Sequence, residues 1–133
     1  TAFVARFMGD HNVISGKVSG HDNGLLKLDV ADGGSFAATG ELRQPGEGAD
    51  IAIRTDHVRI GEASQPDLGF TGLVSNIEYR GSTVKLTAAG AGTDDFTAIV
   101  RDRDFFARPI KVGDAVPFAW DAGDAIVLGR LDS

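Results

Sequence analysis

The segment Leu26-Lys27-Leu28-Asp29-Val30 places an apolar side chain at every second position, the period of a strand with one face buried. Ile51-Ala52-Ile53-Arg54 and Thr83-Val84-Lys85-Leu86-Thr87 carry the same alternation. Further apolar stretches cover 13–18, 72–79, 96–100, 115–120 and 125–128. Turn-forming residues separate them: Asp22-Asn23-Gly24, Asp32-Gly33-Gly34, Pro45-Gly46-Glu47-Gly48, Arg80-Gly81-Ser82, Gly90-Ala91-Gly92 and Val112-Gly113-Asp114. Turn signals at roughly 8–12-residue spacing belong to sandwiches and small barrels. Two stretches depart from the pattern. Ala2 to Met8, with Phe3 and Phe7 one helical turn apart, predicts a helical turn, and Arg103 to Ala107 predicts another, with Asp102 as N-cap.

Composition agrees. Asp outnumbers Glu fifteen to four, and glycine supplies 18 of 133 residues, so turn and cap formers dominate over helix formers. A chain of 13.9 kDa buries enough surface to fold without staples, and with no cysteine it has no disulfides, thiolate metal sites or cysteine nucleophiles. The net charge of −6 argues against a phosphate-backbone binder, whose affinity comes from clustered Lys and Arg. No apolar run reaches the ~18 residues of a membrane-spanning helix. The first residue is Thr rather than Met, which sets the expectation of a piece of something longer.

The sequence also echoes itself. Gly16-Lys17-Val18-Ser19, then Gly24 and Lys27-Leu28, returns as Gly72-Leu73-Val74-Ser75, then Gly81 and Lys85-Leu86, at offsets of 56, 57 and 58. Gly48-Ala49-Asp50-Ile51-Ala52-Ile53 resembles Gly113-Asp114-Ala115-Val116-Pro117-Phe118. The expectation is two copies of a small barrel-like β unit, about 13–60 and 70–128, parted by the loop 61–67, with each copy able to lend a strand to the other.

Catalytic constellations are missing from the sequence. Gly16-Lys17 is followed by Val18, so it is no phosphate-cradling loop, and no Gly-x-Ser-x-Gly elbow occurs. His11, His21 and His57 lack zinc-ligand spacing. His57 beside Asp56 has the chemistry of a general base, but reads more simply as a polar residue at a strand end. Asp94-Asp95 and Asp102/Asp104 offer oxygens to a hard cation, yet read better as a loop end and a salt-bridged exposed segment. The aromatic residues fall mostly at core-facing positions rather than along a basic groove, so no nucleic-acid partner is expected.

Four segments, in order, carry a resemblance. Phe3-Val4-Ala5-Arg6-Phe7-Met8-Gly9-Asp10-His11-Asn12, Ile51 to Val58, Gly72-Leu73-Val74-Ser75-Asn76-Ile77-Glu78-Tyr79-Arg80-Gly81, and Val112 to Val116 with Trp120 and Ala125 to Leu128 resemble the C-terminal region of ABC-importer ATPase subunits. The resemblance is to a TOBE (transport-associated OB) domain of the polyamine or ferric-iron type. It implies an all-β, OB-like barrel built from two similar small β units with one or two short helical turns. Residues 1–12 would lead in from an ATPase domain, and 13–133 would form the β domain.

The resemblance also implies a function. The chain would be a regulatory and dimerisation module, not catalytic by itself and holding no cofactor or metal, with ATP and Mg bound by the ATPase domain. Its partners would be a second subunit, in a homodimer, and an ABC permease, at the cytoplasmic face of the inner membrane. Candidate interface or regulatory residues on the surface are Asn12, Arg54, Asp56, His57, Tyr79 and Arg80, with an Arg54–Asp56 ion pair as a competing role. Thr55-Asp56 stands where the family has Pro-Glu, which keeps the acid but loses the rigid φ. The alternative is a barrel that senses a small oxyanion, polyamine or metal, and the acidity favours a cation.

Overall fold

The structure is a computed structural model that describes residues 11–31, 34–40, 43–61, 65 and 67–128. The helical turn expected over Ala2–Met8, with Phe3 and Phe7, lies outside the described residues. The body is built of strands: β1 (His11–Asp22), β2 (Leu25–Asp29), β3 (Ser35–Ala38), β4 (Gly48–Arg54), β5 (Arg59–Ile60), β6 (Gly69–Tyr79), β7 (Thr83–Gly90), β8 (Thr93–Arg101), β9 (Ala115–Ala119) and β10 (Ala125–Val127). The all-β expectation holds. The helix α1 (Asp102–Ala107) starts one residue earlier than expected. Asp102 is its first residue rather than its cap, and the Asp102 carboxylate accepts the Arg103 N–H at 2.8 Å.

Two five-stranded antiparallel sheets form, ordered β10-β4-β1-β2-β3 and β5-β9-β6-β7-β8. In each, a long first strand pairs with the second strand of a meander on one side and the fourth strand on the other. Each fifth strand comes from the opposite part of the chain: β5 follows β4 but pairs with β9, and β10 follows β9 but pairs with β4. A parallel bridge between Thr39 and Ile126 then joins β3 to β10 and closes the first sheet into a barrel. The two sequence units of 13–60 and 70–128 therefore do not contain the two sheets; they trade their last strands.

The ladders also correct the register of the echo. Val18 faces Leu28 and Val74 faces Ala88, each next to a bulge at Ser19 or Ser75. Leu28 thus corresponds to Ala88 rather than Leu86. The first hairpin turns through Asn23 (φ 52°) and Gly24 (φ 81°), a two-residue type I′ turn, whereas the second is four residues longer. A slip of two leaves every side chain on its own face, so alternation alone cannot detect it.

One core serves both sheets. Phe36 of β3 lies 5.8 Å from Trp120, Trp120 lies 5.7 Å from Phe96, and Phe70 meets Phe96 edge-on at 4.7 Å. Gly72 and Gly90 make room for this cluster. The Phe70 ring comes so close to Gly90 (φ +148°) that a Cβ there would lie 2.4 Å from it. Trp120, Phe36 and Phe96 are among the largest fully buried side chains of the described residues, and Phe70 packs against them partly buried.

Candidate functional site

Where the strands cross over, the two parts of the chain are clasped by charged residues on short 3₁₀ turns. The turn Thr55–His57 precedes β5, and the turn Ala122–Asp124 precedes β10. His57 Nδ1 lies 3.1 Å from Asp124 Oδ1, and Arg59 donates to Asp121 at 3.2 Å. Asp121 and Asp124 also bond each other's backbone in a capping box, which fixes their carboxylates in place. Arg54 donates twice to Asp56, at 2.9 and 3.0 Å, so the Asp56 carboxyl is held below the usual carboxylate range. Of the candidate residues, Arg54, Asp56 and His57 thus gather at the crossover, with the Arg54–Asp56 ion pair formed.

The other candidates lie elsewhere. Asn12 is not on the surface. It is 6% exposed, donates from Nδ2 to the Thr97 carbonyl and accepts the Thr97 N–H on Oδ1, both at 2.7 Å. The sequence reading placed it on the surface; instead it shares the inward face of β1 with Ile14, opposite Ile53, and Thr97 of β8 covers it at the end of the strand. Tyr79 ends β6 over α1, with its ring 5.7 Å from buried Phe105 and 6.2 Å from exposed Phe106. Arg80 pairs with Glu78.

Beside Asn12 the first strand and the outer face of β7–β8 enclose a groove of about 500 Å³. Its walls carry His11, Ser15, Lys85, Thr87, Thr93 and Thr97, with Asp95 on one side. Thr93 Oγ1 donates to Asp95, and Ser15 Oγ donates to Asp50. Lys85, Asp95 and the threonine hydroxyls give this groove a polar, hydrogen-bonding wall of mixed charge, able to hold a small polar solute. The sequence reading missed it. The one signal was the recurrence of Thr and Lys at outward positions of two neighbouring strands, which also describes any solvated sheet face.

Nothing resembling a metal centre is present among the described residues: no group of three or more His, Asp or Glu side chains is placed to hold an ion. Asp94 and Asp95 end a hairpin, and Asp102 and Asp104 lie on α1. Among the described residues no helix is long and apolar enough to cross a membrane.

The order of the strands, a meander whose barrel is closed by a parallel fifth strand, is that of an OB barrel, and a profile of the TOBE domain matches residues 51–128. The chain belongs to the TOBE domain family. This TOBE domain is 29% identical over 130 residues to the spermidine/putrescine import ATP-binding protein PotA of Rubrobacter xylanophilus, a match covering 96% of the chain and 34% of that protein. With the protein of the same name from Oleidesulfovibrio alaskensis it shares 27% over 139 residues, covering 96% of the chain and 37% of the relative. The TOBE domain therefore spans about a third of the length of these relatives, which lie on the polyamine side of the expected family. Among solved structures it is similar to the cytoplasmic molybdate-binding protein ModG with molybdate bound, at a TM-score of 0.74 and 18% identity, over 87% of this chain and 94% of that one. At that identity the likeness is one of fold.

Proposed function

We propose that this TOBE domain is the regulatory and dimerisation module of the ATP-binding subunit of an ABC import system, of the class that imports spermidine and putrescine. The supporting observation is the match along 96% of the chain to subunits of that name. In this reading the domain contributes no reacting group. It braces two ATPase subunits at the cytoplasmic face of the membrane, beside the permease, and biases their opening and closing. Such a bias requires a surface that contacts its partner differently in the two states. Two sheets locked by exchanged strands suit the task, because a displacement of one is carried into the other.

The test is deletion of the domain from the full-length subunit. Basal ATP hydrolysis is expected to survive, while dimer stability and the dependence of hydrolysis on the permease and solute fall. Complete loss of basal hydrolysis in a folded, nucleotide-binding deletion variant would show that the domain takes part in the chemistry and would end this reading.

The groove lined by Lys85 and the threonines favours a second role, the sensing of a small solute. The fold neighbour ModG holds molybdate, whereas the net charge of −6 draws cations. Melting curves recorded with spermidine, putrescine and molybdate separate the two readings. A melting temperature that rises with one of them supports sensing.

A further inference from the structure

Ladder partners set the two sheets in register with each other. Val18 and Val74 each precede a bulge, and they face Leu28 and Ala88. Leu28 and Ala88 in turn face Phe36 and Phe96. Thr39, three residues past Phe36, therefore corresponds to Ile99, three past Phe96. On the other side of the long strands Lys17 faces Gly48 and Leu73 faces Ala115, so Ile51 corresponds to Phe118. Val127 pairs with Ile51 and Ile60 with Phe118. Ala125, Ile126 and Val127 thus answer to Val58, Arg59 and Ile60.

At this place the first sheet closes and the second does not. Thr39 donates its N–H to the Ala125 carbonyl at 2.8 Å, accepts the Val127 N–H at 2.9 Å, and adds its hydroxyl to the Ala122 carbonyl at 3.1 Å. Ile99 has no hydroxyl to offer. Among the described residues no bridge pairs it with Arg59, and its N–H makes no bond to the Val58 carbonyl. Yet β5 and β8 lie next to each other. A groove of about 450 Å³ follows their seam, walled by Val58 to Gly61, by Ile99 to Arg101 and by Arg108. Arg108, just past α1, reaches across it and donates from Nη1 to the Gly61 carbonyl. Backbone groups left unpaired at a seam need water, and an open groove admits it.

We infer that the β5–β8 seam is a gate in the second sheet, poised to shut into the bridge that β3 and β10 already make. Shutting it exchanges bonds to water for two backbone hydrogen bonds, a small net gain, so the open and shut arrangements lie close in free energy. Arg108 is the strap. It ties Gly61, past the end of β5, to the end of α1 and holds the two strands in line without pairing them. The turn before β5 carries His57, which meets Asp124, and Arg59 donates to Asp121, so a movement at the seam reaches the crossover. A gate of this kind is a two-state element such as a regulatory domain uses, but it is a property of the chain itself and stands apart from the regulatory reading.

Amide hydrogen exchange of the 133-residue chain, followed residue by residue by NMR, tests the gate. The protection factor of the Thr39 amide is expected to exceed that of the Ile99 amide at least about a hundredfold. Equal protection at the two would show a seam already shut and would overturn the inference. Ile99→Thr restores the hydroxyl, opposite the Thr55 carbonyl that corresponds to that of Ala122. It is expected to raise protection at position 99 at least about tenfold and to leave Thr39 unchanged. A folded Ile99→Thr chain with no added protection at position 99 would show that no shut state exists, and the gate would be refuted. Arg108→Ala is expected to lower the protection of the Gly61 amide, which bonds the Pro117 carbonyl, about tenfold. An unchanged Gly61 amide in that variant would remove Arg108 as the strap.

Discussion

Asn12 and Thr97, 85 residues apart, exchange two hydrogen bonds of 2.7 Å, so that a side-chain amide from one sheet completes the backbone pairing of an outer strand in the other. An amide presents donor and acceptor in the geometry of a peptide group, which few side chains can imitate. Asn12→Ala leaves the N–H and carbonyl of Thr97 without their partner, and the expected loss is about 2–3 kcal/mol in chemical denaturation. Asn12→Asp keeps one acceptor but buries a charge, so it is expected to be the worse variant at neutral pH and to recover in part as acid protonates it.

Trp120 joins the aromatic residues of both sheets while its own indole Nε1 finds no acceptor among the described residues. Its worth therefore lies in area and packing. Trp120→Phe is expected to be mild, and Trp120→Ala to cost about 3–5 kcal/mol. Comparison of their urea midpoints checks the difference.

A methyl group at Gly90 would strike the Phe70 ring and force a side chain into a left-handed backbone conformation. Gly90→Ala is expected to lower stability by about 1–3 kcal/mol, read as a shifted melting temperature. Pairing it with Phe70→Leu, which makes room, is expected to cost less than the two single changes summed.

Asp67 accepts a hydrogen bond from Lys27, and this contact holds its carboxyl below the usual range although burial pushes the other way. A lowered carboxylate pKa gives stability that is complete above the unfolded-state value, about pH 4, and is lost as pH falls through the folded-state value. Asp67→Asn is expected to flatten the acid limb of the stability–pH curve below about pH 4. The partly exposed pair limits the effect to about 1 kcal/mol or less.

The strand exchange has its own prediction. Cutting the chain between Gly61 and Asp67 breaks no ladder, because β5 stays paired with β9 and β10 with β4. The two pieces are expected to remain bound through gel filtration in native buffer and to part only when denatured.

The sequence shows the fold class well and its connections poorly. The alternation of Leu26 to Val30 and Thr83 to Thr87 matches β2 and β7, because half-burial leaves a periodic mark. Arg59–Ile60 and Ala125–Val127 are two and three residues long, too short to show any period, yet they decide which sheet closes on which. Ser35–Ala38, only four residues long after the turn Asp32-Gly33-Gly34, is likewise too short to stand out as a strand. Of the candidate residues, Arg54, Asp56 and His57 stand together in space because they already stand together in the sequence. The burial of Asn12 was not legible, because nothing local says that a polar residue at the start of a strand is covered by another sheet.

Because each sheet takes its last strand from the other part of the chain, the two cannot behave as beads on a string. Peeling β5 from β9 or β10 from β4 opens one sheet and at the same time frees a strand carried by the other unit's sequence.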